Sequence, residues 1–222
     1  EFAQLGLRPT NNAEAFEKYL RGRFYQSQNT EQGLARSIEF YEQAIALDAG
    51  FAEPYAGIAD AYLILYNFSL RSADVVIPKI KQNLSRAMQI NPNISQAHLT
   101  AAQLDFLYEK DGAKAETSYQ KAVELNPNNA DAFLRYGYFL IFLGRFDDAL
   151  AKLEKARELN PVSSFAQANI GLVYLCRRDF GPAIEQLNKT IAEDPEVSIP
   201  HWFLAASFES IGDTKKAFAQ NL

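Results

Sequence analysis

The sequence predicts an all-α fold, a solenoid of stacked helical hairpins. Helix-stop signals recur at "INPN", "LNPN", "LNPV" and "EDPE", and their prolines, Pro92, Pro127, Pro161 and Pro195, stand 35, 34 and 34 residues apart. Between the stops, apolar residues recur at intervals of three and four, the period of one helix face. A lone hairpin cannot bury its apolar face, whereas stacked copies can, so such a period is the mark of a repeat architecture. With 48% hydrophobic residues over 222 positions, and only 11 Gly and 9 Pro, the chain has the material for a core and few helix breakers.

Taken in order, the units are expected at 13–49, 52–92, 95–127, 130–161, 164–195 and 198–222, with residues 1–12 as a polar linker. Together 13–222 reads as a single solenoid domain of about six repeats, the last incomplete. In the first unit Gly22 and Ala44 hold packing positions, and the turn between its helices reads about three residues long. The second carries Ala59, Tyr62 and Ala87, with "SLRSADVVI" as an inserted turn; "ALDAG" replaces the proline signal ahead of it, with Ala49 in the proline's place. The fourth is the most regular. Phe133, Tyr136, Gly137 and Leu140 form one helix face, and Ala149, Leu153 and Ala156 form the next, with small residues permitting close approach. Ile170, Gly171, Tyr174, Ala183 and Leu187 repeat this frame in the fifth unit, as do Leu204, Ala205, Phe208 and Ala217 in the sixth. Proline lacks an amide hydrogen and stops a helix, and Asn129 is placed to cap the one that follows. Pro54 and Pro200 fall in first turns, where a missing amide is tolerated.

Gly137, Ala149, Leu153, Ala156 and Pro161 in a 34-residue helix-turn-helix resemble the tetratricopeptide repeat, and the likeness covers nearly the whole chain. His98, Gln167 and His201 depart from it, standing where the family prefers a large aromatic. The resemblance implies a right-handed superhelical solenoid whose first helices line a concave groove, and a protein or peptide partner in that groove. The groove candidates are Leu134, Arg135, Tyr138 and Phe142 in the fourth unit, Phe165, Asn169 and Leu172 in the fifth, and Trp202 and Phe203 in the sixth. Aromatic rings supply buried area at low entropic cost, and Asn or Arg can bond a ligand's backbone or carboxylates. Asn169 occupies the place where peptide-binding members of the family use an asparagine against the ligand backbone. A chaperone-tail clamp is not expected, because only Arg135 and Asn169 have the residue types it needs.

Other classes are disfavoured. A net charge of -5 gives no broad attraction to phosphate backbones. One cysteine, Cys176, and two distant histidines, His98 and His201, supply no metal-ligand spacing, and the glycines are scattered singly rather than gathered in a phosphate loop. The expectation is a non-enzyme without cofactor or metal, in the cytoplasm, making no contact with nucleic acid or membrane. The chain closes on "KKAFAQNL", which leaves the last hairpin short and marks Phe208 and Phe218 as a possible self-association end and homodimer surface. The first sixty or so residues are similar to repeat regions of bacterial signalling proteins, namely transcription regulators, cyclases and kinases. That likeness implies a second role as a regulatory sensing domain.

Overall fold

The computed structural model describes residues 9–220. Among them the helices follow one another in pairs: α1 (Ala13–Gln26) and α2 (Glu31–Leu47), α3 (Ala52–Asn67) and α4 (Ala73–Ile90), α5 (Ser95–Leu104) and α6 (Gly112–Leu125). Then come α7 (Ala130–Phe142) and α8 (Phe146–Leu159), α9 (Ser164–Cys176) and α10 (Phe180–Glu193), α11 (Ser198–Ser210) and α12 (Thr214–Ala219). The fold is the all-α hairpin solenoid that the period predicts. No described helix is long and apolar enough to cross a membrane. The helices group into two compact units, Glu1–Asn126 and Pro127–Leu222.

Local chemistry sets the helix ends. Asn12, Thr30, Asp111, Asn129 and Ser163 each accept a hydrogen bond from the amide three residues on, satisfying donors that a helix start leaves open. At the other end of each first helix, one turn residue adopts the left-handed conformation: Asn29, Ser69, Lys110, Gly144, Arg178 and Gly212. The last three stand 34 residues apart, so the sequence period is also a backbone period. The following amide then reaches back to a carbonyl five positions earlier, as from Arg145 to Leu140, Asp179 to Tyr174 and Asp213 to Phe208.

Two expectations about length are corrected. The first hairpin's turn occupies residues 27–30, one more than the 143–145 turn, and the surplus lies in α2, which runs 17 residues. In the second hairpin, "SLRSADVVI" is only partly a turn. Val76 and Ile77 belong to α4 and are buried with Ile80, because they extend its apolar face, and the added residues lengthen α3 and α4. Pro78 lies inside α4 but on its exposed side, where the carbonyl it deprives of an amide partner can be hydrated.

In the first unit the fully buried Tyr41 ring lies between two glycines. A Cβ on Gly22 would come within 2.5 Å of it, and a Cβ on Gly57 within 2.7 Å. In the second unit Gly137 faces Leu153 and Gly171 faces Leu187 in the same manner, so each glycine admits one large side chain from the second helix. A polar path also crosses the first unit. The Tyr41 hydroxyl donates to Gln26 Oε1 at 2.6 Å, Gln26 Nε2 donates to Asp60 Oδ2 at 2.6 Å, and the Thr100 hydroxyl donates to Asp60 Oδ1 at 3.3 Å. Asp60 and Thr100 are buried, so the bonds offset the desolvation of the carboxylate. The presumed linker is tied in near its end: the Thr10 hydroxyl donates to Asp48, and Asn12 Nδ2 donates to the Leu47 carbonyl at 3.0 Å.

Phe208 is not an exposed end. It is 7% exposed and packs with Leu187, Leu204 and Ala217, while the Lys216 ammonium lies 5.3 Å from its ring centroid. Short as it is, α12 covers this ring, which removes Phe208 from any self-association surface. The Phe218 side chain lies outside the described residues.

Candidate functional site

The candidate groove is built within the second unit, where α9 packs against α7 on one side and α11 on the other. Each of these is the first helix of its hairpin. The second helices take the apolar faces carrying Tyr136, Leu140, Ile170 and Leu204, which leaves a different stripe of α7, α9 and α11 uncovered. On that stripe Phe142, Phe165 and Trp202 are 61%, 51% and 62% exposed. Tyr138 is exposed as well and meets Phe142 edge to face, with ring centroids 5.0 Å apart. Contact with α7 and its neighbours still desolvates its phenol enough to raise its pKa.

The remaining candidates are less free. Leu134, Arg135 and Leu172 are half-buried. Arg135 Nε pairs with Asp131 at 2.7 Å across one turn of α7. Phe203 is also half-buried but packs against the cluster of Leu187, Leu204 and Phe208, so it serves the core more than the groove. Its periodicity alone could not separate it from Trp202, one residue earlier and exposed.

Asn169 has the most informative environment. The residue is 8% exposed, and its Nδ2 donates to the Phe165 carbonyl at 2.8 Å, one turn back. Its Oδ1 is buried and accepts no hydrogen bond from the described residues. A buried acceptor without a donor costs about 1–3 kcal/mol, which a ligand N–H arriving at this oxygen would recover.

Catalytic chemistry finds no support at the same stripe. Cys176 ends α9 as a free thiol, and desolvation raises its pKa, the opposite of what an activated nucleophile needs. His201 Nδ1 is 3.0 Å from Gln220 Oε1, so that ring is already held by a neighbour. Among the described residues no group of three His, Cys, Asp or Glu side chains is placed to hold a metal ion.

Two of the three family departures share one structural role that sequence reasoning missed. His98 Nε2 lies 2.8 Å from the Pro92 carbonyl oxygen, and Gln167 Nε2 donates to the Pro161 carbonyl at 3.2 Å. His201 instead meets Gln220. The first two replace an aromatic contact with a hydrogen bond to the loop before the helix.

Residues 106–170 match the family model for the tetratricopeptide repeat. The hairpins within that span carry the tetratricopeptide repeat. Among curated proteins, the chain is 22% identical over 156 residues to the transcriptional regulator HilA of Salmonella typhimurium, covering 70% of this chain and 28% of that protein. It is 30% identical over 134 residues to the type IV pilus assembly protein PilF of Pseudomonas aeruginosa, covering 60% and 52% respectively. The chain therefore spans about a quarter to a half of the length of these relatives. Among solved structures, the tetratricopeptide fold here matches PilW, a type IV pilus biogenesis factor, with a TM-score of 0.76 at 16% identity, over 94% of this chain and 91% of that one. It also matches YrrB, described as a tetratricopeptide protein with an unusual peptide-binding site, with a TM-score of 0.54 at 23% identity over 86% and 91%. At these identities the structural matches speak to the fold.

Proposed function

We propose that the chain is a non-catalytic protein-interaction scaffold, and that α7, α9 and α11 bind an extended peptide segment of a protein partner. The observation that carries this reading is the buried, unpartnered Asn169 Oδ1 on the helix that also presents Phe165, with Phe142 and Trp202 exposed on the flanking helices. The rings cover the ligand's apolar side chains while Asn169 accepts a backbone N–H, the division of labour seen where an extended peptide is held by main-chain bonds and side-chain pockets. Leu134, Arg135, Tyr138 and Leu172 form the walls. The unusual peptide-binding site of YrrB, a tetratricopeptide protein of similar fold, supports the same class of ligand. We place the chain in the cytoplasm, a reading that its single cysteine fits.

The likeness to HilA over 70% of this chain favours one biological setting, the repeat region of a bacterial transcription regulator that receives a protein signal. Selection of random twelve-residue peptides on the purified chain, followed by calorimetric titration, tests the binding reading. Asn169→Ala and Phe142→Ala should each weaken a selected peptide about tenfold, or about 1.4 kcal/mol. Selected peptides that bind both variants as tightly as the parent would reject this groove.

A further inference from the structure

A second cleft lies in the first unit, on the side of the hairpins formed by α2, α3 and α4. Its volume is about 670 Å³, and Tyr55, Tyr62, Lys79, Asn83 and Arg86 line it together with Glu42, the one carboxylate among its described walls. The repeat-equivalent cleft of the second unit, formed by α8, α9 and α10, has about 740 Å³. The two differ in how their charges are committed. In the second unit Lys155 pairs with Glu158 at 2.8 Å, Arg157 with Glu154, and Lys189 with Glu193 at 4.0 Å, so each wall cation is neutralised by a carboxylate. In the first unit neither Lys79 nor Arg86 makes an ion pair with a described residue. Lys79 Nζ instead sits 4.9 Å from the Tyr62 ring centroid and donates to its hydroxyl oxygen at 3.1 Å, which leaves ammonium protons directed to no carboxylate. Uncommitted cations beside tyrosine rings, in a chain of net charge -5, form a local site for an anion.

The spacing narrows the ligand. Tyr55 and Tyr62 are seven residues apart on α3, and Lys79 and Arg86 are seven apart on α4. The two helices form one hairpin and run antiparallel, so the contact of Lys79 with Tyr62 places Arg86 toward Tyr55. The result is two cation–tyrosine stations about 10.5 Å apart along the helix axis. A peptide in the polyproline II conformation returns a side chain to the same side every third residue, after about 9.3 Å. We infer that this cleft is a second binding site, for an acidic peptide segment in polyproline II conformation with carboxylates at positions i and i+3, one on Lys79 and one on Arg86. Prolines between the carboxylates stack on Tyr55 and Tyr62, and Asn83 lies between the stations to bond the peptide backbone. The site is independent of the Asn169 groove.

The experiment is a nitrogen–proton correlation NMR titration of the whole chain with acetyl-GEPPEG-amide, using acetyl-GQPPQG-amide as the uncharged control. Saturable shifts centred on the amides of residues 79–89 are expected for the acidic peptide alone, weakening as salt is raised. The Lys79→Ala, Arg86→Ala double variant should lose at least tenfold in affinity, and Lys79→Arg should retain binding. Asn169→Ala should leave this titration unchanged, which separates it from the groove reading. Both cations are exposed, and a circular dichroism spectrum matching the parent establishes that the double variant is folded. Equal binding of the two peptides, shifts that survive the double substitution, or no shifts near α4 would each overturn the inference.

Discussion

His98 reaches back six residues to the carbonyl oxygen of Pro92, with Nε2 2.8 Å away, and Gln167 makes the same step to Pro161. Tyr55 stands at the equivalent place, its hydroxyl 3.5 Å from the Ala49 carbonyl. A position that the repeat family fills with a large ring has here become a polar tie between a helix and the loop that feeds it. His98→Phe keeps a ring and removes the tie, so it should lower stability by about 0.5–1.5 kcal/mol. A urea midpoint equal to that of the parent protein would show that the bond carries no net stability.

Glycine packing gives a paired prediction. A Cβ on Gly137 would lie 2.7 Å from Leu153 Cγ and 3.2 Å from the Ala149 carbonyl oxygen, and Leu153 is fully buried with no room to yield. Gly137→Ala should therefore destabilise by about 1–3 kcal/mol. Gly181, in the first turn of α10, would meet nothing within 4 Å, and Gly181→Ala should stabilise by about 0.5–1 kcal/mol. Thermal unfolding of the two variants checks the contrast.

Arg178 holds φ at 64°, in a turn where the neighbouring hairpins use Gly144 and Gly212. A side chain in this region costs about 1–2 kcal/mol, which glycine avoids. Arg178→Gly should raise the denaturant midpoint, with a gain reduced by the loss of the Arg178 side chain's own surface packing. A lower midpoint would mean that the arginine contributes more than its backbone conformation costs.

The buried Tyr41 hydroxyl supplies a pH prediction. Burial first, then the neighbouring Tyr19 and Asp60, raise its pKa far above the ordinary tyrosine value. The unfolded chain begins to release this proton near pH 10, while the folded protein retains it, so the fold binds more protons and stability falls as pH rises. The decline attributable to Tyr41 should approach about 1.4 kcal/mol per pH unit above pH 10, and Tyr41→Phe should remove it. Urea unfolding at pH 9, 10 and 11 for both proteins measures the difference in slope.

Much of this architecture was legible because its causes are local and repeated. Pro127 and Pro161 stop helices, Asn129 caps one, and Gly137 with Leu153 sets a helix pair, each readable from residue type and interval. The left-handed turns were half legible: Gly144 and Gly212 announce theirs, whereas Asn29, Ser69, Lys110 and Arg178 do the same work without glycine's signature. The polar path from Tyr41 to Thr100 joins residues far apart in the chain, and no local pattern marks such a link. At the groove, period placed Phe142, Phe165 and Trp202 on the open stripe, but Phe203 and Phe208 differ from them only in what packs on top, which is a tertiary fact. The pairing state of Lys79 and Arg86 was likewise invisible until α3 and α4 were set side by side.

The most direct measurement is made on Asn169→Leu, recording urea stability and affinity for a selected peptide in the same preparation. A leucine of similar size removes the buried oxygen that no described residue satisfies. If the unmet acceptor is the ligand's contact, opposite movements are expected: stability higher by about 1 kcal/mol, and peptide affinity at least tenfold weaker. A variant that loses stability while binding the peptide as well as its parent would contradict it and return Asn169 to an ordinary structural role.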